Sequence, residues 1–340
     1  MKAPCNTTKK GEQQMTWMSR RSMVAGGLCL MAPQVRASSD WPSRPIRIIV
    51  PFAAGGPTDF VARLVAKPLG DALGQQMVIE NRPGASGNLG AQGVADADPD
   101  GYTLLHTTIA TQALNPLLLP ASRLRPLKDF APVGTTAALP NVLVVKPGKH
   151  DVKTVRELAA LGARMPRGLT FGTFGHGTSP HILSLLFQKK AGFEAVPVAY
   201  RGSAPALTDI LSGQLDFLFD NITTSAEQIR AGAVRGLAVT SATRSSVLPD
   251  IPTMKEAGFE GFDLNFGFSL MAPAATPAAI MTRLQDAFDP IASGAVYAEQ
   301  LRARGADALI VPRANLQGFL ERATEGWLDV ARQIGLGPAS

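Results

Sequence analysis

Two glycine-rich turns carry backbone groups that suit the binding of an anion. In the first, Gly55 and Gly56 stand between an apolar run at 46–52 and a helix-spaced apolar pattern at 61–69. The second turn, at 174–181, also follows a short strand-like run and leads into a helical pattern. A helix that begins after such a turn leaves free N–H groups at the positive end of its dipole, where an anion is favoured. An ordinary strand-to-helix connection has the same pattern, so a binding role and a purely structural role are both open.

The familiar catalytic and metal-binding arrangements are missing from the sequence. The run 84–88 lacks the glycine spacing of a hydrolase nucleophile elbow. Neither a phosphate-binding Gly-x-x-x-x-Gly-Lys-Ser/Thr motif nor a dinucleotide-binding glycine pattern occurs. The four histidines, His106, His150, His176 and His181, form no cluster with carboxylates at the spacing of metal ligands. We therefore expect no catalytic residue, no metal and no cofactor.

Several polar side chains stand where a binding role and a structural role both fit. His176 is flanked by glycines and Arg201 lies in a loop, so each can line a pocket or face solvent. Asp220 follows a strand end, which is where α/β proteins place ligand groups. For His181 a local contact at a helix start is the simpler explanation, and for Asp59 the helix dipole is sufficient. Position alone does not decide between these roles.

The elements that must position these groups alternate between strands and helices. Strands are predicted at 46–52, 76–80, 102–106, 141–145, 169–172, 195–200, 215–219, 235–240, 266–271 and 308–311. Helices are predicted at 61–69, 89–95, 152–161, 182–190 and 206–212, and over most of the chain after 277. This alternation predicts an α/β fold with doubly wound, parallel sheets.

Length and charge narrow the classes of protein to which the chain can belong. With 340 residues it is too long for one compact core, and two domains are expected. The net charge of +6 is concentrated in residues 1–37, which hold six basic residues and one acidic residue. The remaining chain holds 27 basic and 26 acidic residues, and this near-neutral balance argues against nucleic-acid binding.

The first 37 residues have the pattern of an export signal. Paired arginines at 20–21 precede an apolar run at 23–33, and a small-x-small cleavage site follows at 35–37. The arginine pair suits both the twin-arginine and the general secretory route. The apolar run is shorter than the roughly 20 residues that a membrane anchor needs. Cys5 and Cys29 are the only cysteines, so the chain after cleavage has no disulfide and no thiol nucleophile.

A series of short motifs resembles the solute receptors of tripartite tricarboxylate transporters, which are also called Bug receptors. The motifs occur in the expected order, and together they are more specific than any one of them. They are Val50–Asp59 (VPFAAGGPTD), Glu80–Gly87 (ENRPGASG), Pro99–Leu104 (PDGYTL), Val198–Gly202 (VAYRG), Asp220–Asn221 (DN), Leu237–Ser241 (LAVTS) and Leu248–Thr253 (LPDIPT).

The resemblance implies the type II periplasmic-binding-protein fold, in which two α/β domains enclose a ligand cleft and two segments cross between them. Applied to this chain, it implies an export signal at 1–37, a discontinuous domain I at 41–141 plus 266–340, and a domain II at 142–265. In that family loop N–H groups and ordered water hold a small carboxylate, without an arginine clamp.

The resemblance also implies a set of ligand-binding residues. His176 falls where the family varies and Arg201 replaces a more common lysine, so the identity of the acid stays open. The implied set is Ala54, Gly55, Gly56, Thr58, Asp59, Thr107, Thr108, Phe174, Gly175, His176, Gly177, Thr178, Ser179, Tyr200, Arg201 and Asp220.

The function that the resemblance implies is that of a periplasmic, monomeric receptor. It would capture a small organic acid and deliver it to the membrane subunits of a tripartite tricarboxylate-type transporter. A ligand sensor that feeds a signalling system is an alternative that the sequence does not separate. A hydrolase built on two α/β domains is the third hypothesis, and the lack of a recognisable nucleophile motif argues against it.

We predict that the chain is exported and cleaved near Ala37, because the arginine pair, the short apolar run and the small-x-small site occur together. Measurement of the intact mass of the secreted protein tests this. A secreted product that still carried residues 15–37 would contradict it. Because no cysteine remains after cleavage, reducing agent should leave the melting temperature unchanged.

Overall fold

Strands and helices alternate through most of the computed structural model, which describes residues 41–119, 121–165, 167–262 and 266–337. The predicted export signal lies outside these residues. The strands are β1 (Ile46–Val50), β2 (Met77–Asn81), β3 (Thr103–Thr108), β4 (Phe130–Leu139), β5 (Asn141–Val145), β6 (Leu169–Thr173), β7 (Ala195–Ala199), β8 (Leu218–Asn221), β9 (Arg235–Val239), β10 (Phe266–Pro273) and β11 (Asp307–Ala308). The helices are α1 (Pro57–Leu73), α2 (Asn88–Ala95), α3 (Ile109–Leu118), α4 (Pro126–Asp129), α5 (Val155–Gly162), α6 (Ser179–Ala191), α7 (Ser203–Ser212), α8 (Ile222–Arg230), α9 (Ala278–Ala292), α10 (Ala295–Arg302) and α11 (Arg313–Gln333).

The first sheet has six strands in the order β11-β4-β10-β3-β1-β2. Strand β1 lies parallel to both β2 and β3, whereas β10 pairs antiparallel with β3 and β4. Ile46, Ile48, Ile49 and Val50 of β1 are fully buried, as expected for a strand covered on both faces. The predicted parallel arrangement is therefore right for β1, β2 and β3 and wrong for β10, and it is also wrong for β5, β8 and β9, which pair antiparallel.

The second group of strands is built around β5, which pairs antiparallel with β8 on one side and β9 on the other. Strands β6 and β7 pair in parallel, and a bridge between Phe171 and Phe217 joins them to the segment before β8. The Phe171 and Phe217 rings stack with their centres 5.6 Å apart, and Phe187 of α6 meets Phe217 and Phe219 edge-on. Aromatic packing therefore fixes helix α6 against this second group of strands.

The chain passes between the two groups of strands at two places. Only Pro140 separates β4 of the first sheet from β5 of the second group. The return lies between β9 and β10, that is, between Val239 and Phe266. The predicted domain boundaries at 141 and 266 coincide with these passages. The described residues nevertheless belong to one compact unit, and the division into two domains stays a prediction.

The sequence patterns missed four elements, the short helix α4 and three longer elements, β4, α3 and α8, each of which has a local reason. Strand β4 contains Pro132 and Gly134, residues that argue against a strand. A Cβ on Gly134 would lie 2.2 Å from the Phe288 ring, so close packing by α9 explains the glycine. Helices α3 and α8 follow β3 and β8 directly, with no glycine turn between strand and helix. The sequence therefore gave no signal for the starts of these two helices. Among the helices of the described residues, none combines the length and hydrophobicity that crossing a bilayer requires.

Asp216 joins three parts of the second group of strands. Its carboxylate accepts hydrogen bonds from Lys149 Nζ and His150 Nε2, both at 2.7 Å, in the loop after β5. It also accepts from the N–H of Thr170 on β6 at 2.7 Å and from the Thr170 hydroxyl at 2.8 Å. Burial raises the pKa of the Asp216 carboxyl, but these hydrogen bonds outweigh burial and hold the pKa at about 2.

We expect Asp216→Asn to lose stability in a pH-dependent way. The pKa of Asp216 is lowered in the folded chain, so its stabilisation is present above about pH 4 and is lost as the pH falls towards 2. The variant should be less stable by about 2 kcal/mol at pH 7, and the difference should vanish near pH 2. Denaturant unfolding across this range tests it. Asp71→Asn, at an exposed ion pair with Lys67, is the control and should cost little at any pH.

Candidate functional site

Five helices begin at one cleft. The residues that precede their first turns, Gly56 before α1, Thr108 before α3, Thr178 before α6, Gly202 before α7 and Asn221 before α8, all line the same space. Each helix start carries roughly half a positive charge and N–H groups without an intrahelical partner. Their convergence makes the cleft attractive to an anion.

The capping chemistry leaves those N–H groups available to the cleft. Only at α3 does a cap side chain act, where Thr108 Oγ1 accepts a hydrogen bond from the Thr111 N–H at 3.1 Å. At α6 the Thr178 hydroxyl donates to the Gly175 carbonyl at 2.7 Å, and its oxygen accepts no hydrogen bond from the first turn of the helix. The starts of α1, α7 and α8 likewise have no side-chain cap. Three of these helix starts, α1, α6 and α7, therefore keep first-turn donors for a ligand, whereas at α8 the Ile222 N–H already donates to the Pro140 carbonyl at 3.2 Å.

The cleft walls combine small polar groups with aromatic rings. None of the described lining residues is charged, and the centre of a water molecule can occupy about 30 Å³ of the space between them. The lining residues are Phe52, Ala53, Gly56, Pro57, Thr58, Thr108, Thr111, Phe174, Thr178, Ser179, Gly202, Ser203, Asn221 and Phe268.

The two sides of the cleft approach each other closely at its edge. The Ala53 N–H donates to the Arg201 carbonyl at 3.1 Å, which joins the turn before α1 to the turn before α7. Gly175 has a φ of +110°, and a Cβ there would lie 2.3 Å from Ser86 Oγ. Both the backbone conformation and the short approach therefore require glycine at 175.

Asp59 organises the turn before α1 from behind the cleft. Its buried carboxylate accepts from the Gly55 N–H at 3.0 Å, from Arg63 Nε at 3.0 Å and from Asn81 Nδ2 at 3.2 Å. Asn81 also donates to the Phe52 carbonyl at 3.0 Å, so the end of β1 is held by the same group. Burial raises the pKa of Asp59, but the bonds from Arg63, Gly55 and Asn81 outweigh it, and the pKa lies below its usual value. Asp59 is a paired, ionised support for the turn.

Asp220 is a second buried carboxylate beside the cleft, with different partners. It is fully buried and accepts hydrogen bonds from Ser203 Oγ at 2.5 Å, Ser225 Oγ at 2.6 Å and Thr224 Oγ1 at 2.7 Å. Burial raises the pKa of Asp220, and these neutral donors offset only part of that effect. Ser203 itself lines the cleft, so one hydroxyl group separates Asp220 from the binding space.

The two histidines near α6 differ in exposure. His181 is buried, and its Nδ1 accepts a hydrogen bond from the Gly177 N–H at 3.3 Å. Burial, and then the neighbouring His176, lower the pKa of His181 to about 4, so its ring is neutral at pH 7. His176 is exposed, with its ring centre 5.0 Å from that of His181. In the part of the chain that the structure describes, no group of three or more His, Cys, Asp or Glu side chains could hold a metal ion.

The structure brings some of the predicted site residues to the cleft and leaves others outside its lining. As ligand contacts, all of them remain predictions. Those that line the cleft are Gly56, Thr58, Thr108, Phe174, Thr178 and Ser179. Those outside its lining are Ala54, Gly55, Asp59, Thr107, Gly175, His176, Gly177, Tyr200, Arg201 and Asp220. Arg201 is exposed, and the Tyr200 hydroxyl donates to Asp209 at 2.6 Å.

Eight lining residues were not found by sequence reasoning. Gly202-Ser203 and Asn221 stand immediately before helices, so helix-start signals, treated as site markers, would have indicated them. Thr111 lies in α3, a helix that the pattern did not show, and Phe268 lies in a strand far along the chain. The eight are Phe52, Ala53, Pro57, Thr111, Gly202, Ser203, Asn221 and Phe268.

Comparison with known sequences identifies related proteins along most of the chain. Residues 61–336 match the family model described as "Tripartite tricarboxylate transporter family receptor". The chain is 42% identical over 256 residues to the UPF0065 protein in the TAR-I ttuE-ttuC' intergenic region of Agrobacterium vitis, covering 74% of this chain and 72% of that one. It is 34% identical over 300 residues to Protein BugT of Bordetella pertussis, covering 88% and 92%.

Several solved structures share the fold and about a third of the sequence. The adipate complex of Rpa4515 from R. palustris is 36% identical with a TM-score of 0.84, covering 88% of this chain and 100% of that one. The periplasmic binding protein BugD is 30% identical with a TM-score of 0.83, covering 88% and 100%. MatC from Rhodopseudomonas palustris, with bound malate, is 32% identical with a TM-score of 0.79, covering 85% and 99%. The predicted α/β periplasmic-binding-protein fold is confirmed.

We expect Gly56→Val to weaken binding of a small carboxylate at least tenfold, or about 1.4 kcal/mol. A Cβ on Gly56 would lie 3.6 Å from the Ala53 carbonyl oxygen and 3.9 Å from Ser203 Cβ, so alanine fits but valine methyls enter the cleft. Gly56→Ala is therefore the matched control. Arg201→Ala should change affinity by no more than about twofold, because neutral donors line the cleft. Titration calorimetry on the variants measures these affinities. A larger loss of affinity in Arg201→Ala than in Gly56→Val would indicate that a cation holds the ligand.

Proposed function

We propose that this chain, which belongs to the tripartite tricarboxylate transporter receptor family, captures a small organic carboxylate in the cleft and delivers it to a membrane transporter of that type. The proposal places the exported protein in the periplasm, as a monomer. It assigns no catalytic step, because the family whose model matches the chain is one of transporter receptors.

The observation that carries the proposal is the meeting of five helix starts at an uncharged wall. Backbone N–H groups at the end of a helix dipole make charge-assisted hydrogen bonds to a carboxylate. Neutral donors avoid the desolvation cost of burying a cation beside the ligand. Such a site suits an anion that must be both held and released.

The remaining walls indicate what surrounds the carboxylate. The rings of Phe52, Phe174 and Phe268 supply apolar surface, while the hydroxyls of Thr58 and Ser179 supply hydrogen-bonding groups. A short carbon chain with one or two polar substituents matches this combination. Relatives solved with adipate and malate support an acid of this size.

Delivery requires that the receptor distinguish its loaded state from its free state. Two passages of the chain, at Pro140 and between Val239 and Phe266, connect the two groups of strands. We propose that these passages act as a hinge between domain I, at 41–141 plus 266–340, and domain II, at 142–265. A ligand that contacts both sides binds the closed state better and shifts the population towards it.

A screen of acids tests the binding proposal. Purified protein is mixed with acetate, succinate, malate, adipate and benzoate, and the melting temperature is measured for each. At least one acid should stabilise the protein, and titration calorimetry should then give its dissociation constant. The amide of that acid is the control and should bind far more weakly, because it lacks the charge that the helix starts favour. Equal stabilisation by acid and amide would contradict an anion site.

The best acid from the screen should also close the molecule. At about 100 times its dissociation constant it contributes roughly 2.7 kcal/mol, which corresponds to an increase of several degrees in melting temperature. Small-angle scattering under the same conditions should show a smaller radius of gyration. A higher melting temperature with an unchanged radius would refute the hinge and leave the binding role in place.

A further inference from the structure

We propose that Asp220 takes up a proton when a carboxylate enters the cleft, so that capture of the acid is linked to pH. This inference rests on the proposed function of the cleft. It concerns a residue that does not line the cleft but acts on it through Ser203.

The geometry places the Ser203 hydroxyl between the Asp220 carboxylate and the cleft that would receive the acid. Ser203 Oγ donates to Asp220 Oδ1 at 2.5 Å, and Ser203 is the first residue of α7 and part of the cleft wall. Asp220 also accepts from Thr224 and Ser225 in the first turn of α8, whose cap residue Asn221 lines the cleft. Asp220 therefore accepts hydrogen bonds from side chains at the starts of α7 and α8, and both of these helix starts also line the cleft.

No cation compensates Asp220 in the described part of the chain. On α7, Asp209 accepts from the Tyr200 hydroxyl, and on α8, Glu227 and Arg230 are exposed. Strands β5 and β6, which lie beside β8, contain no titratable residue. Helix α6 also packs on β8, and its titratable residues are the neutral, buried His181 and the exposed pair Lys189–Lys190 at its far end.

The contrast with Asp59 shows why Asp220 is the group that responds. Both carboxylates are buried beside the cleft, but Asp59 forms an ion pair with Arg63 at 3.0 Å and its pKa is lowered. Asp220 has only neutral donors, and burial already raises its pKa. A second negative charge in the cleft raises the pKa of an uncompensated carboxyl further, because like charges disfavour ionisation. The pH window for proton uptake lies between the pKa of Asp220 in the free protein and its higher value in the complex.

Protonation of Asp220 also changes the direction of its hydrogen bond with Ser203. An ionised Asp220 draws the Ser203 hydroxyl proton away from the cleft. When Oδ1 carries a proton from solvent, it donates to Ser203 Oγ, and the Ser203 proton can then be donated to the bound acid or to Thr224 Oγ1, which lies 2.9 Å from Ser203 Oγ. One buried negative charge beside the cleft is removed, and the Ser203 hydroxyl is no longer committed to Asp220.

Titration calorimetry on the wild-type protein measures the proton directly. The best acid of the panel is titrated at one pH in two buffers with different ionisation enthalpies, at several values between pH 5 and 8. We expect uptake of a few tenths of a proton up to one proton, and an affinity that falls with rising pH by up to tenfold per unit. Binding without proton exchange across the whole range would overturn the inference and leave the receptor role intact.

Substitutions of Asp220 and Asp209 test which residue takes up the proton. Asp220→Asn resembles the protonated residue, so it should bind the acid without proton uptake and with little dependence on pH. Asp209→Asn, on the same helix α7 but hydrogen-bonded to Tyr200, should retain the uptake. Uptake that persisted in Asp220→Asn would contradict the assignment and indicate the His176–His181 pair. If no acid of the panel binds at all, the proposed function and this inference fail together.

Discussion

Unpaired backbone N–H groups are the constraint on which the site depends. A helix start must find partners for its first-turn donors, and here the starts of α1, α6 and α7 meet at one cleft without a side-chain cap. The strands position these helix starts, because β1, β3, β6 and β8 each lead into a helix that begins at the cleft. Buried Ile48 and Ile49 fix β1, and the Phe171–Phe217 stack fixes β6. Core packing therefore determines where the donors converge.

Two buried carboxylates next to that positive region have opposite electrostatic roles. Asp59 is neutralised by Arg63 and keeps the turn before α1 in place through the Gly55 N–H. Asp220 is held by hydroxyl groups alone and shares Ser203 with the cleft. The same residue type is thus a fixed support in one place and a variable charge in the other. The main difference is the Arg63 guanidinium group, which pairs with Asp59, together with the bonds from Gly55 and Asn81.

The sequence predicted the α/β class, the order of most elements and a helix start after the turn at 55–56, where Gly56 lines the cleft. Glycines, a proline at the helix start and alternating apolar runs are local signals, and they mark α1 and α6 well. Helix α3, helix α8 and the lining residue Phe268 were not predicted, because their role arises from tertiary contact. The antiparallel pairing of β10 with β3 and β4 has the same origin, since strand direction depends on distant partners.

The cleft draws its lining from Phe52 through Phe268. No shorter piece of the chain contains every wall, because Phe52 ends the first strand region and Phe268 lies in β10, after the second passage between the strand groups. Contacts between residues so far apart in sequence form late and slowly during folding. The binding surface therefore exists only once the segment from Phe52 to Phe268 has folded as a whole. Ligand affinity thus reports whether that segment has reached its native topology.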